Sequence, residues 1–207
     1  DLSDVASTRV AAGPVRRIVD MDIPQTVIKF GLPGIPRKDP DFIPAFIVNH
    51  ILGGGGFSSR LYAQVREKHG YAYSVYSGLY TLDHAPILYG AVATRNDKAA
   101  DSLALIEAEL ARLAAGGPSA EELEAAKKFL TGSYALRFDS SGKIASELVG
   151  IQLEGLGIDY INRRNELIEQ VTIEQVRAVA ARLLGTGGLI AAIVGRPAGL
   201  EEIRPGG

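Results

Sequence analysis

The stretch LGGGGFSSRLYAQVREKHGYAYSVYS, Leu52–Ser77, decides which fold we predict for this chain. It opens with four consecutive glycines, Gly53, Gly54, Gly55 and Gly56. Because glycine adopts positive φ without strain, such a run is typical of a mobile loop or of a backbone that approaches another group closely. We therefore predict either a flexible loop or a close approach of the backbone to another group at this point of the chain.

A short helix and a strand are predicted to follow the glycine run. Ser58 or Ser59 can cap the helix by accepting hydrogen bonds from its first free N–H groups. The helix should reach about Lys68, and Gly70 should end it. Aromatic and β-branched residues then dominate, which is the composition of a strand, predicted over Tyr71–Tyr80.

Arg66 and Tyr73 are the candidate functional residues of this unit. They are separated by a helix end, a glycine turn and the start of a strand, so both side chains can reach one place. No carboxylate lies three or four residues from Arg66, so its charge has no partner on its own helix. The residues leave an alternative open, in which Arg66 lies on a solvated helix flank and Tyr73 packs in the core.

Several blocks of this sequence form a recognisable set. They are LGGG at Leu52, FSSRL at Phe57, VREK at Val65, GYAYS at Gly70 and LTGSY at Leu130. Together they resemble the C-terminal, non-zinc half of the pitrilysin (insulinase) family of zinc peptidases, which includes mitochondrial processing peptidase and bacterial paired-subunit relatives. Each block alone is weak, but the set is specific. The resemblance covers nearly the whole chain.

The resemblance implies a role for the candidate residues. In that family the non-zinc half carries an arginine and a tyrosine seven residues apart, and Arg66 and Tyr73 match them. Guanidinium and phenol groups both donate hydrogen bonds, so they suit the oxyanion that forms when a peptide carbonyl is attacked. The resemblance also implies that the glycine run, Gly53–Gly56, is a loop bordering the substrate space.

No cofactor is expected to bind this chain, and zinc is expected in the partner half. The family's inverted motif His-x-x-Glu-His is absent. None of His50, His69 and His84 has a glutamate or a second histidine one, three or four residues away. A phosphate site at the glycine run is not favoured either, because no Lys-Ser or Lys-Thr follows Gly56 and a helix is predicted before it.

Composition is typical of an ordinary globular domain. The chain has 207 residues, of which 46% are hydrophobic and 22% charged, enough for one sizeable core. A net charge of −2 without a basic run gives no electrostatic footprint for nucleic acid. No apolar run approaches the roughly 20 residues of a membrane span. Without cysteine, neither disulfides nor thiolate metal sites can form.

The order of the predicted elements favours an α+β fold. We expect a mostly antiparallel sheet of about five to six strands with helices packed on one face, as in half of a processing-peptidase-like metallohydrolase. Residues 1–13 are predicted to be a linker or tail. Residues 14–197 should form a single pitrilysin-like C-terminal domain, and 198–207 a second tail.

Helix starts carry the clearest local signals. Ser119 with Glu122, and Thr172 with Gln175, have the spacing of capping boxes. Asp97 is predicted to cap a further helix, which lies after the hairpin that follows the glycine run and before the helix that begins at Ser119.

Two functions of different classes stay open. The first is the substrate-binding half of a zinc metalloendopeptidase that hydrolyses peptides or unfolded proteins. Its partners would be a zinc-bearing half, in the same polypeptide or a separate subunit, and a peptide added as a strand to a sheet edge. Alone, the chain should be inactive. The alternative is a non-catalytic scaffold or assembly subunit with the same fold.

The compartment is predicted from the resemblance alone. Bacterial paired-subunit relatives are often exported, so we expect the periplasm, with the cytoplasm as the alternative. No export signal is visible in residues 1–15, and we expect a missing N-terminal half that would carry any such signal.

Overall fold

A five-stranded sheet forms the centre of the computed structural model, which describes residues 6–8, 10–11 and 13–204. The strands are β1 (Val15–Asp20), β2 (Gln25–Pro33), β3 (Ala72–Tyr80), β4 (Ile87–Arg95) and β5 (Ile190–Gly195). Their order across the sheet is β1-β5-β2-β4-β3. β1 is parallel to β5, and the other pairs are antiparallel. The predicted mostly antiparallel sheet is confirmed, and β3 is one of its edges.

Six α-helices accompany the sheet in the described residues. They are α1 (Phe42–Asn49), α2 (Ala99–Gly116), α3 (Ala120–Gly132), α4 (Ser141–Leu153), α5 (Tyr160–Glu169) and α6 (Ile173–Leu184). Two wider π-helical segments follow α1, at His50–Gly54 and Tyr62–Lys68. Short 3₁₀ turns lie at Gly56–Ser58, Asn96–Lys98 and Tyr134–Phe138. The predicted α+β class is confirmed.

The core lies on one face of the sheet. Along β2 and β4 every second residue is buried, and the residues between them are mostly half-buried or exposed. This alternation is what a strand requires when one face is covered and the other is open. The buried side chains join residues of α1, α2 and α6 in one hydrophobic cluster. Helices therefore pack on one face, as predicted.

Both predicted capping boxes are confirmed. The Ser119 hydroxyl accepts from the Glu122 N–H, and the Glu122 carboxylate accepts from the Ser119 N–H. Thr172 and Gln175 make the same reciprocal pair at the start of α6. These contacts satisfy N–H groups that the first turn of a helix leaves free.

The other predicted caps are wrong. Asp97 lies in a 3₁₀ turn before α2, where its carboxylate accepts two hydrogen bonds from Arg95, at 3.0 and 2.9 Å, and is not available to the helix. The hydroxyls of Ser58 and Ser59 donate to the carbonyls of Gly55 and Gly56 instead of accepting from the next helix. The physical reason is that the turn before the helix leaves carbonyl groups within reach, and a serine hydroxyl readily donates to a nearby backbone carbonyl.

The described residues near the C-terminus lie against the sheet. Ile203 pairs with Arg16 of β1 in an antiparallel bridge, with backbone hydrogen bonds of 2.8 and 2.9 Å. Part of the predicted tail 198–207 is therefore held in place. Residues 1–5, 9 and 12 of the predicted linker, and 205–207 of the tail, lie outside the described residues. The division of the chain into domains stays a prediction.

Candidate functional site

The glycine run passes directly beneath strand β3. Gly53 and Gly54 belong to the π-helical segment that continues α1, and Gly53 is buried. A Cβ atom at Gly53 would lie 2.5 Å from the Ser77 hydroxyl and 2.6 Å from its backbone nitrogen. The predicted flexible loop is therefore wrong for Gly53 and Gly54, and the alternative prediction, a close approach of the backbone to another group, is confirmed at Gly53. Of the four, only Gly56 has a positive φ, at 59°.

A glycine turn joins the second π-helix to β3. Gly70 has φ 64°, its N–H donates to the Arg66 carbonyl, and the Tyr71 N–H donates to the Val65 carbonyl, both at 2.9 Å. These bonds satisfy carbonyls that the helix end leaves free. The turn was predicted, and it fixes how the helix and the strand face each other.

A β-bulge at the start of β3 directs Tyr73 outward. Ala72 pairs with Thr94 and Val75 pairs with Val92, so three steps on β3 face two on β4. Ala72 and Val75 are both buried, whereas Tyr73 between them is 80% exposed. A bulge of this kind re-aims a side chain that regular alternation would place elsewhere. The alternative in which Tyr73 packs in the core is therefore wrong.

Arg66 lies among three aromatic rings, which we call the Arg66 cluster: Arg66, Phe57, Tyr62 and Tyr73. Its guanidinium carbon lies 4.6 Å from the ring centre of Tyr73, 4.8 Å from that of Tyr62 and 5.9 Å from that of Phe57. Phe57 and Tyr62 meet edge to face at 4.9 Å. The prediction that Arg66 and Tyr73 reach one place is confirmed.

The Arg66 cluster presents unused hydrogen-bond donors to solvent. Within the described residues, the Arg66 side chain makes no hydrogen bond or ion pair, and neither does the Tyr73 hydroxyl. The aromatic rings contact the face of the guanidinium, and each cation–π contact of this kind contributes about 0.5–1 kcal/mol at an exposed site. Its N–H groups at the edge stay available for an acceptor. The cluster can therefore bind a carbonyl oxygen or an anion.

An ion pair connects the segment Leu52–Ser77 to α3. Arg60 donates two hydrogen bonds of 2.6 Å to the Glu122 carboxylate, which also takes part in the α3 capping box. These bonds lower the pKa of Glu122 and raise that of Arg60. Sequence reasoning recognised Glu122 as a capping residue only, because 62 residues separate it from Arg60.

A cavity of about 460 Å³ lies at the other end of β3, and sequence reasoning missed it. Residues from β3, α1, α4 and α5 line it, among them Ser77, Glu147 and Arg164. Arg164 is only 6% exposed. We call this space the Arg164 cavity. Its lining comes from several separate elements and loops, so no local pattern in the sequence indicates it.

The histidines do not form a zinc site. No group of three or more histidine, cysteine, aspartate or glutamate residues that could hold a metal ion occurs in the described part of the chain. His50 is buried and stacks on Phe129 at 5.1 Å, and its burial lowers its pKa. His69 Nδ1 lies 2.8 Å from the Gln64 carbonyl. These residues therefore do not fit the zinc of the predicted family.

Within the part of the chain that the structure describes, no helix has the length and the hydrophobicity that crossing a bilayer requires.

Comparison with known proteins assigns the family. The family model described as "Peptidase M16 inactive domain" matches residues 4–130, which is more than half of the chain. The chain belongs to this family of zinc proteases, and it corresponds to the inactive domain.

Individual relatives agree with that assignment. An uncharacterized zinc protease of Mycobacterium leprae is 33% identical over 85% of this chain and 39% of its own length. A protein of Helicobacter pylori named as a non-peptidase homolog is 27% identical over 77% of this chain and 37% of its own length. The chain thus spans about two fifths of the length of these relatives.

A solved structure confirms the fold. The crystal structure of a peptidase M16 inactive domain from Pseudomonas fluorescens superimposes with a TM-score of 0.84 and 28% sequence identity. The match covers 99% of this chain and 48% of that chain. The chain therefore has the fold of an M16 inactive domain, a non-catalytic half of a zinc protease.

Proposed function

We propose that this chain is the substrate-binding half of a zinc metalloendopeptidase that hydrolyses peptides or unfolded proteins. Arg66 and Tyr73 would grip the substrate carbonyl, and a separate half would carry the zinc. One observation supports this most strongly: the guanidinium of Arg66 lies 4.6 Å from the ring centre of Tyr73, which is 80% exposed. The resemblance to pitrilysin enzymes is part of the same proposal.

The chemistry of the two side chains supports the role. Attack on a peptide carbonyl moves negative charge onto its oxygen, and donors already in place stabilise that charge without reorganising. Arg66 offers a permanent positive charge, and Tyr73 offers a neutral O–H. Zinc in the other half would supply the activation of water. This chain alone should not hydrolyse peptides.

The edge strand β3 supports peptides as the substrate class. Among the described residues no strand pairs with the outer edge of β3, and Tyr73 lies at its start. An extended peptide can add to such an edge through backbone hydrogen bonds, which read little of its sequence. Specificity would therefore be broad.

An exposed apolar surface supports pairing with a zinc-bearing half. Ile151 is the one residue of α4 that is buried, while Val149 is 54% exposed, Leu153 83% and the nearby Ile158 88%. Apolar surface of this kind marks contact with another protein surface. The relatives, which are more than twice as long as this chain, have the additional length for such a half.

The periplasm belongs to the proposal as its compartment. It rests on the resemblance to exported bacterial paired-subunit relatives, and fractionation of cells expressing the whole protein would test it. Recovery of the protein with the cytoplasmic fraction would contradict it.

Substitution of Tyr73 by phenylalanine tests the proposed function. In the assembled peptidase, Tyr73→Phe should lower kcat about 10²-fold, or about 3 kcal/mol, because one donor to the oxyanion is lost. Steady-state kinetics on a fluorogenic peptide would measure the change. Tyr76→Phe, on the same strand, is the matched control and should retain its turnover.

Two results would contradict the proposal. A fall in kcat of less than about threefold in a folded Tyr73→Phe variant would mean that the phenol does not act on the substrate. Tight binding of one zinc ion by this chain alone would contradict the division between the two halves.

One relative favours a second candidate, a non-catalytic assembly subunit. The Helicobacter pylori protein named as a non-peptidase homolog has 27% identity to this chain. A scaffold has no need of the Arg66 and Tyr73 donors, so unchanged assembly with unchanged turnover in Tyr73→Phe would favour this candidate.

A further inference from the structure

Arg164 in the Arg164 cavity is a buried cation without a carboxylate partner in the described residues. Its Nη1 donates to the Leu130 carbonyl and to Asn165 Oδ1, both at 3.1 Å. Its Nε and Nη2 make no hydrogen bond in the described part of the chain. A buried charge of this kind is costly unless something pairs with it.

The charges around the cavity do not balance. Arg37 pairs with Glu154, and Arg137 pairs with Glu147. All four line the cavity together with Arg164, and no other charged residue among those that the structure describes does so. One positive charge in the lining is therefore left without a partner, and it is the most buried of the three arginines.

A structural role accounts for part of Arg164. Its Nη1 binds the Leu130 carbonyl near the end of α3, where cations are favoured, and its guanidinium lies 4.2 Å from the ring centre of Tyr134. Burial lowers the pKa of Arg164, so its charge is held at a cost. Neither contact uses the remaining N–H groups, which are those with no protein acceptor.

The cavity lies on the path of a peptide along β3. Ser77, Gly78 and Leu79 of β3 line it, while Tyr73 lies four residues earlier on the same strand. At about 3.3 Å per residue, roughly 13 Å separates the two places. A strand added to the edge of β3 would therefore reach the cavity about four residues away from the carbonyl at the Arg66 cluster.

We propose that the Arg164 cavity binds a carboxylate of the peptide substrate. A guanidinium offers parallel N–H groups that match the two oxygens of a carboxylate. Apolar residues such as Phe46 and Ile151 also line the cavity, and their low polarity strengthens such a pair. The carboxylate can be the C-terminus or an acidic side chain. This inference rests on the proposed function.

Three peptides of otherwise identical sequence, without further acidic residues, test the inference. One has a free C-terminal carboxylate, one is amidated, and one is amidated but carries a single glutamate at its last position. Isothermal titration calorimetry with the full chain would give Kd for each. Loss of all carboxylates should weaken binding about tenfold or more. If the cavity binds the carboxylate of a side chain, the glutamate peptide should bind tightly. If it binds only the C-terminal carboxylate, the glutamate peptide should bind as weakly as the amidated one.

Variants of α5 assign the effect to Arg164. In Arg164→Gln all three peptides should bind with equal affinity. The matched control is Arg163→Gln, which removes an exposed arginine paired with Asp159 and should keep the tenfold difference. Circular dichroism checks the fold of both. If Arg164→Gln does not fold, Arg164→Lys takes its place: it keeps the charge but lacks the parallel N–H groups, and it should reduce the tenfold difference.

Two results would overturn the inference. The first is that the unchanged chain binds all three peptides with Kd values within twofold of each other. The second is that folded Arg164→Gln keeps the tenfold difference in Kd. Because the readout is affinity rather than turnover, such a result leaves the kinetics of Tyr73→Phe to judge the proposed function separately.

Discussion

Two arginines lie at opposite ends of the edge strand β3, and their surroundings differ. Arg66 is half-buried beside Tyr73, and within the described residues its side chain makes no hydrogen bond. Arg164 is 6% exposed, is held by a helix carbonyl, and faces a cavity. In the described residues neither has a carboxylate partner. The same type of side chain is therefore suited to two kinds of contact, with a developing oxyanion at Arg66 and with a permanent carboxylate at Arg164.

The energetic difference predicts different kinetic roles. A donor that stays in water gains little from a neutral carbonyl and more from a developing oxyanion, so Arg66 should act mainly on kcat. A buried donor binds a permanent carboxylate equally in substrate and transition state, so Arg164 should act mainly on KM. Three further variants test this contrast and the structure that supports it.

Arg66→Gln should have the largest effect. Loss of a charged donor should lower kcat of the assembled peptidase about 10³-fold, or about 4 kcal/mol, with little change in KM. Steady-state kinetics would measure both constants. Lys68→Gln removes an exposed charge from the same helix and is the matched control. A change in KM alone would show that the two arginines act alike.

Gly53→Ala should have the next largest effect. It should lower the stability of the packing around β3, the strand beside which both sites lie. Its Cβ would lie 2.6 Å from the backbone nitrogen of Ser77, so β3 or the π-helical segment must shift. Such overpacking should lower the free energy of unfolding by about 2 kcal/mol.

Urea unfolding of the chain would measure this loss. Gly142→Ala in α4, where nothing lies within 4 Å of an added Cβ, is the control and should be neutral or slightly stabilising. Equal stability of both variants would mean that the close approach of Gly53 to β3 does not constrain the fold.

Glu122→Gln should have the smallest effect, of about 1 kcal/mol at neutral pH, because the charge of its pair with Arg60 is lost. Hydrogen bonds from Arg60 hold the pKa of Glu122 below the ordinary 4.5. Stability from this pair is therefore full above pH 4.5 and is lost as pH falls through the lowered pKa.

Thermal or urea unfolding between pH 3 and pH 7 would test that dependence. The unchanged chain and Glu122→Gln should differ at pH 7 and converge at low pH. Asp139→Asn, at an exposed pair with Lys143, should differ little from the unchanged chain at any pH. A constant difference across the range would assign the effect of Glu122 to packing instead of charge.

Much of the Arg66 site could be predicted because its residues are close in sequence. A helix end, Gly70 and a strand start lie between Arg66 and Tyr73, and such short-range geometry follows from local propensities. The bulge that exposes Tyr73 could not be predicted, because it depends on the pairing of β3 with β4. The cap at Asp97 failed for a related reason, since Arg95 competes for its carboxylate.

Residue pattern alone was sufficient for the α+β class, the capping boxes of α3 and α6, the turn at Gly70 and the meeting of Arg66 with Tyr73. The class follows from the order of the elements along the chain. Each of the others depends on residues a few positions apart, whose geometry the backbone limits to few choices. The packing of the chain was needed to place Gly53 against Ser77, to pair Arg60 with Glu122 and to bury Arg164. Those contacts join residues up to dozens of positions apart, and burial and charge pairing there depend on which elements the core brings together.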